Sequence, residues 1–192
     1  YNGEYQVPMR IYLPYEKAWP KVNSAGSSHY PVLLFFHGGG WVTYSVDNYD
    51  RICARLANAT EHIVISVEYR LAPEHKFPTG LNDCYAVAKA LYEKKFLLNI
   101  DPDRITIIGD SAGGNLTAAL SLMARDRQEF FPRRQILIYP AVNSDFTETS
   151  PFLSVHENGS DYLLTTGRLQ DYIDLYAAQE EDKTNPYFAP LN

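Results

Sequence analysis

Ile105-Thr106-Ile107-Ile108-Gly109-Asp110-Ser111-Ala112-Gly113 decides the reading of this chain. The β-branched run Ile105 to Ile108 predicts a buried strand, and the stripe Leu116, Ala119, Leu120 and Met123 predicts a helix that begins near Ala112. Ser111 then stands on a sharp strand-to-helix turn, which requires small residues two positions to either side, here Gly109 and Gly113. A serine hydroxyl is a useful nucleophile only when it is exposed, close to a base and aimed at a carbonyl whose developing charge is stabilised. The same turn directs the positive end of the helix towards such a charge.

A second run, Val32 to Phe36, leads into His37-Gly38-Gly39-Gly40-Trp41. Three consecutive glycines cost conformational entropy unless the backbone itself has a task. Presenting N–H groups to an oxyanion is such a task. The expected donors are Ala112 and two of Gly38, Gly39 and Gly40, with Gly39 and Gly40 favoured, each worth about 3 kcal/mol in the transition state. A chance Gly-x-Ser-x-Gly is roughly a one-in-twenty event in a chain this long and His-Gly-Gly-Gly on the order of one in a thousand, so their joint occurrence argues against coincidence. Phosphate binding is the weaker reading of the glycines, because no Gly-Lys-Ser/Thr or spaced Gly-x-Gly-x-x-Gly follows.

Outward from these motifs, Ile63 to Val67 and Ile136 to Tyr139 predict further strands, all of them covered on both faces. Tyr49, Ile52, Cys53 and Leu56 predict one helix, and Leu81, Cys84, Tyr85 and Ala88 another. Alternating strands and helices imply a parallel sheet with ligands held at the carboxyl ends of the strands, where both glycine motifs fall. Val7, Met9, Ile11 and Leu13 alternate with Pro8, Arg10 and Tyr12, as in a half-exposed strand that Pro8 places near an edge. Residues 17–30 read as a loop. The composition turns polar from Asn143 to Gly167, and 141–168 reads as an insertion over the active face of a single, incomplete domain spanning 1–192. Leu169, Tyr172, Ile173 and Tyr176 mark a last helix, and Asn185 to Leu191 an extended tail.

The 192 residues are 45% hydrophobic with a net charge of −6, which fits an ordinary folded domain and argues against a nucleic-acid surface. No apolar run is long enough for a membrane span, and the chain is expected to be cytoplasmic. Cys53 and Cys84 fall on helical stripes and read as buried thiols rather than ligands. Asn58, Asn115 and Asn158 begin glycosylation-type triplets, yet Asn115 falls inside the helix that Ser111 opens.

The chain resembles the hormone-sensitive-lipase-like group of α/β-hydrolases. Three blocks carry the likeness: His37 to Trp41, then Glu68-Tyr69-Arg70-Leu71-Ala72-Pro73-Glu74-His75 with Phe77-Pro78, then Asp101-Pro102-Asp103-Arg104-Ile105 leading into Gly109 to Leu116. The resemblance implies an α/β-hydrolase fold, with a mostly parallel sheet and helices on both faces, its C-terminal strands missing from this chain. It makes Ser111 the nucleophile, Gly38 to Gly40 the oxyanion loop and His37 structural, while Arg70 and Glu74 read as an ion pair shaping the loop beneath the site. The implied activity is hydrolysis of small acyl or acetyl esters through an acyl-enzyme, without metal or cofactor. An amide or formamide hydrolase, or a receptor that has lost its base, stays open on the same scaffold.

In this fold the triad runs Ser, then Asp or Glu, then His. His156 is the one histidine after Ser111, and Asp145 the acid that could serve it. They lie close together in the polar insertion with no strand between them, so acid and base are expected outside this chain. The chain is accordingly read as truncated at both ends, with a C-terminal piece of the same protein as a candidate partner, and inactive alone.

Overall fold

The computed structural model describes residues 1–15, 30–94 and 100–192. Along the chain come β1 (Met9–Tyr12), β2 (Tyr30–Phe36), α1 (Asp50–Thr60), β3 (Ile63–Val67), α2 (Thr79–Tyr92), β4 (Ile100–Asp110), α3 (Ala112–Arg127), β5 (Arg134–Ile138), α4 (Leu153–Glu157) and α5 (Thr166–Tyr176). The sheet order is β1-β3-β2-β4-β5, parallel throughout except for the antiparallel edge strand β1.

Period-two alternation divides the strand side chains between two cores. Val32, Leu34, Phe36, Ile63, Ile65, Val67, Ile105 and Ile107 meet Leu81, Cys84, Leu116 and Leu120 of α2 and α3 on one face. Leu33, Phe35, Val64 and Ile108 meet Cys53 and Ala57 of α1 on the other. The stripe on α3 is buried as expected, and Gly113, Asn115 and Thr117 are buried with it. Cys53 and Cys84 are free, buried thiols in different cores. No helix among the described residues is long and apolar enough to cross a membrane.

Four expectations are corrected. β5 is not covered on both faces: among the described residues it is the last strand of the sheet, it packs chiefly on β4 and α3, and Ile136 and Leu137 are exposed. Ile52 of α1 and Ile11 of β1 face outward, leaving Cys53 and Ala57 as the buried face of α1. The tail after Asn185 is a turn rather than extended, since Asn185 O accepts from the amides of Phe188 and Ala189, and Phe188 enters the core. Finally, Arg70 pairs with Asp83 and not with Glu74, which is exposed. The loop expected over 17–30 lies outside the described residues, save Tyr30, which opens β2. Residues 141–168 contain α4 and no strand.

Asp83 wins Arg70 because it is fully buried on α2 and needs neutralising there. Its oxygens accept from the Arg70 amide (3.1 Å), Nε (2.9 Å) and Nη2 (2.7 Å) and from Asn2 Nδ2 (2.8 Å). The guanidinium also lies 4.2 Å from the centre of the Tyr5 ring, so one carboxylate fastens both the N-terminus and the loop after β3 to α2. Asp83→Ala is expected to cost about 3 kcal/mol and Glu74→Ala under about 0.5 kcal/mol, read from urea unfolding midpoints.

Candidate active site

Ser111 is the residue between β4 and α3, and its backbone sits at φ 54°, ψ −118°, a region that side chains other than glycine rarely adopt and that costs on the order of 1–3 kcal/mol. Neighbouring backbone holds it there. Its amide donates to Ile138 O (2.9 Å), and its carbonyl accepts from Asn115 N (3.0 Å) and Ala141 N (3.2 Å). The exit of β5 therefore grips the strained residue from both peptide groups.

The two motif glycines have a steric reason. A Cβ on Gly113 would collide with the Phe36 carbonyl and come within 2.7 Å of His37 O; one on Gly109 would collide with the Gly113 carbonyl and come within 2.8 Å of Phe36 O. The first turn of α3 is thereby pressed directly against the end of β2, bringing the glycine loop beside the serine. The first-turn amide of Ala112 has no acceptor within its helix.

The directions of the loop amides follow from their carbonyls. His37 Nδ1 donates to Gly38 O at 2.7 Å, while Gly39 O accepts from Val42 N (3.1 Å), Thr43 N (2.9 Å) and Thr43 Oγ1 (3.0 Å). In a trans peptide the N–H points opposite to the C=O. The amides of Gly39 and Gly40 thus point away from these anchors and make no hydrogen bond among the described residues. Gly38 differs from its neighbours: its amide donates to Asp110 Oδ1 (3.1 Å) and lies 3.2 Å from the Tyr49 hydroxyl, which removes it from the three candidate donors and leaves Gly39 and Gly40, the two favoured.

His37 is fully buried and stacked on Tyr69 at 4.4 Å, with the Tyr69 hydroxyl donating to its carbonyl at 2.7 Å. Burial pushes its pKa below the ordinary histidine value and keeps the ring neutral. This environment suits a brace. Behind the loop, Trp41 stacks on Tyr176 of α5 with centroids 4.6 Å apart and planes 1° apart, and the Tyr172 ring covers Gly40. Tyr44 and Tyr162 are exposed.

Asp145 and His156 are not brought to Ser111. The Asp145 carboxylate accepts from Thr147 N, Thr147 Oγ1 and Thr149 Oγ1, and these bonds, the Thr147 side chain foremost, hold its pKa below the usual range. His156 Nε2 bonds Ser150 O at 2.9 Å. No side chain among the described residues hydrogen-bonds the Ser111 hydroxyl. Sequence reasoning missed Tyr49 and Asp110. Tyr49 stood only on an apolar stripe and Asp110 filled the variable place of its motif, so neither carried a signal of their contact.

A family model described as alpha/beta hydrolase fold matches residues 33–192. An arylesterase of Saccharolobus solfataricus is 37% identical over 189 residues, 98% of this chain and 57% of that protein. An ethyl acetate hydrolase of Pseudomonas putida is 36% identical over 186 residues, covering 96% and 55%. The solved structure of a hyperthermophilic esterase from the archaeon Pyrobaculum calidifontis superposes with a TM-score of 0.83 at 39% identity, covering 96% of this chain and 57% of that one. The chain belongs to the α/β-hydrolase family, in its hormone-sensitive-lipase-like carboxylesterase group, and spans a little over half the length of these relatives.

Gly113→Ala is expected to destabilise by about 1–3 kcal/mol, since the contact is backbone on backbone and cannot yield by rotamer change. Gly167→Ala, with open space around its Cβ in the first turn of α5, should be neutral or stabilising by up to about 1 kcal/mol. Chemical denaturation distinguishes the two. His37 generates a pH dependence: the unfolded chain binds its proton below about pH 6.5 and the folded chain resists it, so its contribution is present above that value and lost as pH falls. Melting scans from about pH 8 to about pH 5 should show a steeper fall for the wild type than for His37→Gln.

Proposed function

We propose that this chain, as a member of that family, carries the attacking half of a serine esterase. The supporting observation is the convergence of the Ser111 turn with the unclaimed amides of Gly39, Gly40 and Ala112 at the carboxyl ends of β2 and β4. Ser111 Oγ bonds to the ester carbonyl carbon and its proton passes to a base. The former carbonyl oxygen takes the negative charge within reach of the three amides. Collapse breaks the bond to the alcohol, which leaves with the proton, and water then releases the acid from the acyl-serine. Each amide that strengthens its bond as the charge forms supplies about 3 kcal/mol.

The names of the relatives, arylesterase and ethyl acetate hydrolase, support small carboxylic esters as the substrate class. We assign base and acid to polypeptide outside these 192 residues, because Asp145 and His156 are engaged elsewhere. In this reading 1–192 is one α/β-hydrolase domain. Residues 141–168 lie over its active face, since they leave from the turn that grips Ser111 and return through α5, whose Tyr172 covers Gly40.

A fluorophosphonate should label the chain slowly and at Ser111 alone, with labelling lost in Ser111→Ala and kept in His156→Ala. Turnover of a short-chain aryl ester by the 192 residues should be lower by several orders of magnitude than that of a complete triad enzyme. Ready turnover abolished equally by His156→Ala and Ser111→Ala would defeat the assignment of the base. Failure of the full-length protein to label, with tight reversible ligand binding, would favour a receptor.

A further inference from the structure

We propose that Asp110 and Tyr49 form a clamp that sets the glycine loop in register with the nucleophile, so that both are positioning residues for the oxyanion donors. This rests on the esterase reading for its catalytic consequence, but not for its geometry.

Asp110 is the last residue of β4, and Gly38 is the second residue beyond β2; the two strands are hydrogen-bonded neighbours up to the pair Phe36 and Gly109. Beyond that pair the ladder ends, and nothing in the sheet itself fixes the spacing of the two loops. The Asp110 side chain takes over at this point. One carboxylate oxygen accepts the Gly38 amide at 3.1 Å, and the other accepts the Tyr49 hydroxyl at 2.7 Å, while the Tyr49 oxygen lies 3.2 Å from the same amide. The triangle closes on three edges. It joins the residue before the nucleophile, the first glycine of the loop and the start of α1.

The chemistry of the corner explains the residue types. Two donors arrive at two oxygens of one side chain, an arrangement a carboxylate satisfies fully and an amide satisfies on one side only. Hydrogen bonds to a charged acceptor are also roughly twice as strong as neutral ones. Gly38 must lack a side chain because a Cβ there would stand 2.5 Å from Asp110 Oδ2 and 3.0 Å from the Tyr49 hydroxyl. With the Gly38 amide held by Asp110 and its carbonyl held by His37 Nδ1, neither peptide group flanking this glycine can rotate alone. The Gly39 and Gly40 amides that follow inherit that orientation. Tyr49 keeps its proton in this role: burial first, and then the Asp110 carboxylate, push its pKa well above the tyrosine range.

Amide NMR and hydrogen exchange on the 192-residue chain test the clamp without any turnover. The Gly38 amide should resonate downfield and exchange slowly in the wild type. In Asp110→Ala it should move upfield and exchange at least about tenfold faster, with the Gly39 and Gly40 resonances shifting too, a signature that general destabilisation would not confine to this loop. Asp110→Asn and Tyr49→Phe, which keep most of the shape should the alanine variant not fold, are expected to move the same resonances by less. The rate of fluorophosphonate labelling at Ser111 should drop about 10- to 100-fold in the Asp110 variants, less than the roughly 100- to 1000-fold that outright loss of one oxyanion donor costs, because the amides are misaligned rather than removed. A Gly38 amide unmoved in the Asp110 variants would overturn the clamp, as would unchanged Gly39 and Gly40 resonances with an unchanged labelling rate. A downfield Gly38 amide in the 192 residues, together with a full-length protein that never labels, would instead overturn the esterase reading and leave the clamp standing.

Discussion

The arrangement depends on one contact, the backbone of Gly113 lying against the carbonyls of Phe36 and His37. It is a distance constraint, set by the absence of a side chain. A helix normally keeps about 10 Å from a sheet because side chains separate them; here the first turn of α3 meets the end of β2 directly. Everything at the site inherits that closeness, from the free amide of Ala112 to the glycine loop beside Ser111. Gly109 and Gly113 are therefore coupled to the fold before they are coupled to any chemistry.

Around that contact, orientation is imposed mostly by acceptors. His37 holds one carbonyl, the turn at Val42 and Thr43 holds the next, and the exit of β5 holds both peptide groups of Ser111. The groups facing the substrate side are those left over when every other direction has been assigned. On the proposed function this would be electrostatic preorganisation built from backbone, with no movement required when charge develops. Its cost shows in the positive φ of Ser111 and Trp41, whereas Gly39 and Gly40 take theirs without opposition from a side chain.

Much of this was legible in the sequence because it rests on periodicity and on steric necessity. The strands around Leu34, Ile65 and Ile107 and the helix opening at Ala112 follow from local patterns. What was not legible depends on which distant group reaches a site first. Arg70 had Glu74 four residues away, yet the buried Asp83 took it, since a charge inside the protein gains more from a partner than one in water. Gly39 and Gly40 were favoured over Gly38 as donors, but what occupies Gly38 was not legible: the Asp110 carboxylate, 72 positions away, and the Tyr49 hydroxyl take its amide. Ile136 and Leu137 read as interior because their apolar run matched that of a central strand, whereas exposure is decided by what packs alongside.

Among the described residues β5 pairs with β4 alone and leaves its other edge open. A strand with one unpaired edge offers a row of N–H and C=O groups that recognise extended backbone of any sequence, and exposed Ile136 and Leu137 add an apolar surface to that row. Selectivity there cannot come from hydrogen bonding, which is the same for every strand. It falls to kinetics and proximity: a segment tethered to the same chain meets the edge at high effective concentration, whereas a free molecule must compete through bulk solution. The same five residues thus carry two tasks, one edge open to added backbone and a last carbonyl, that of Ile138, holding the Ser111 amide.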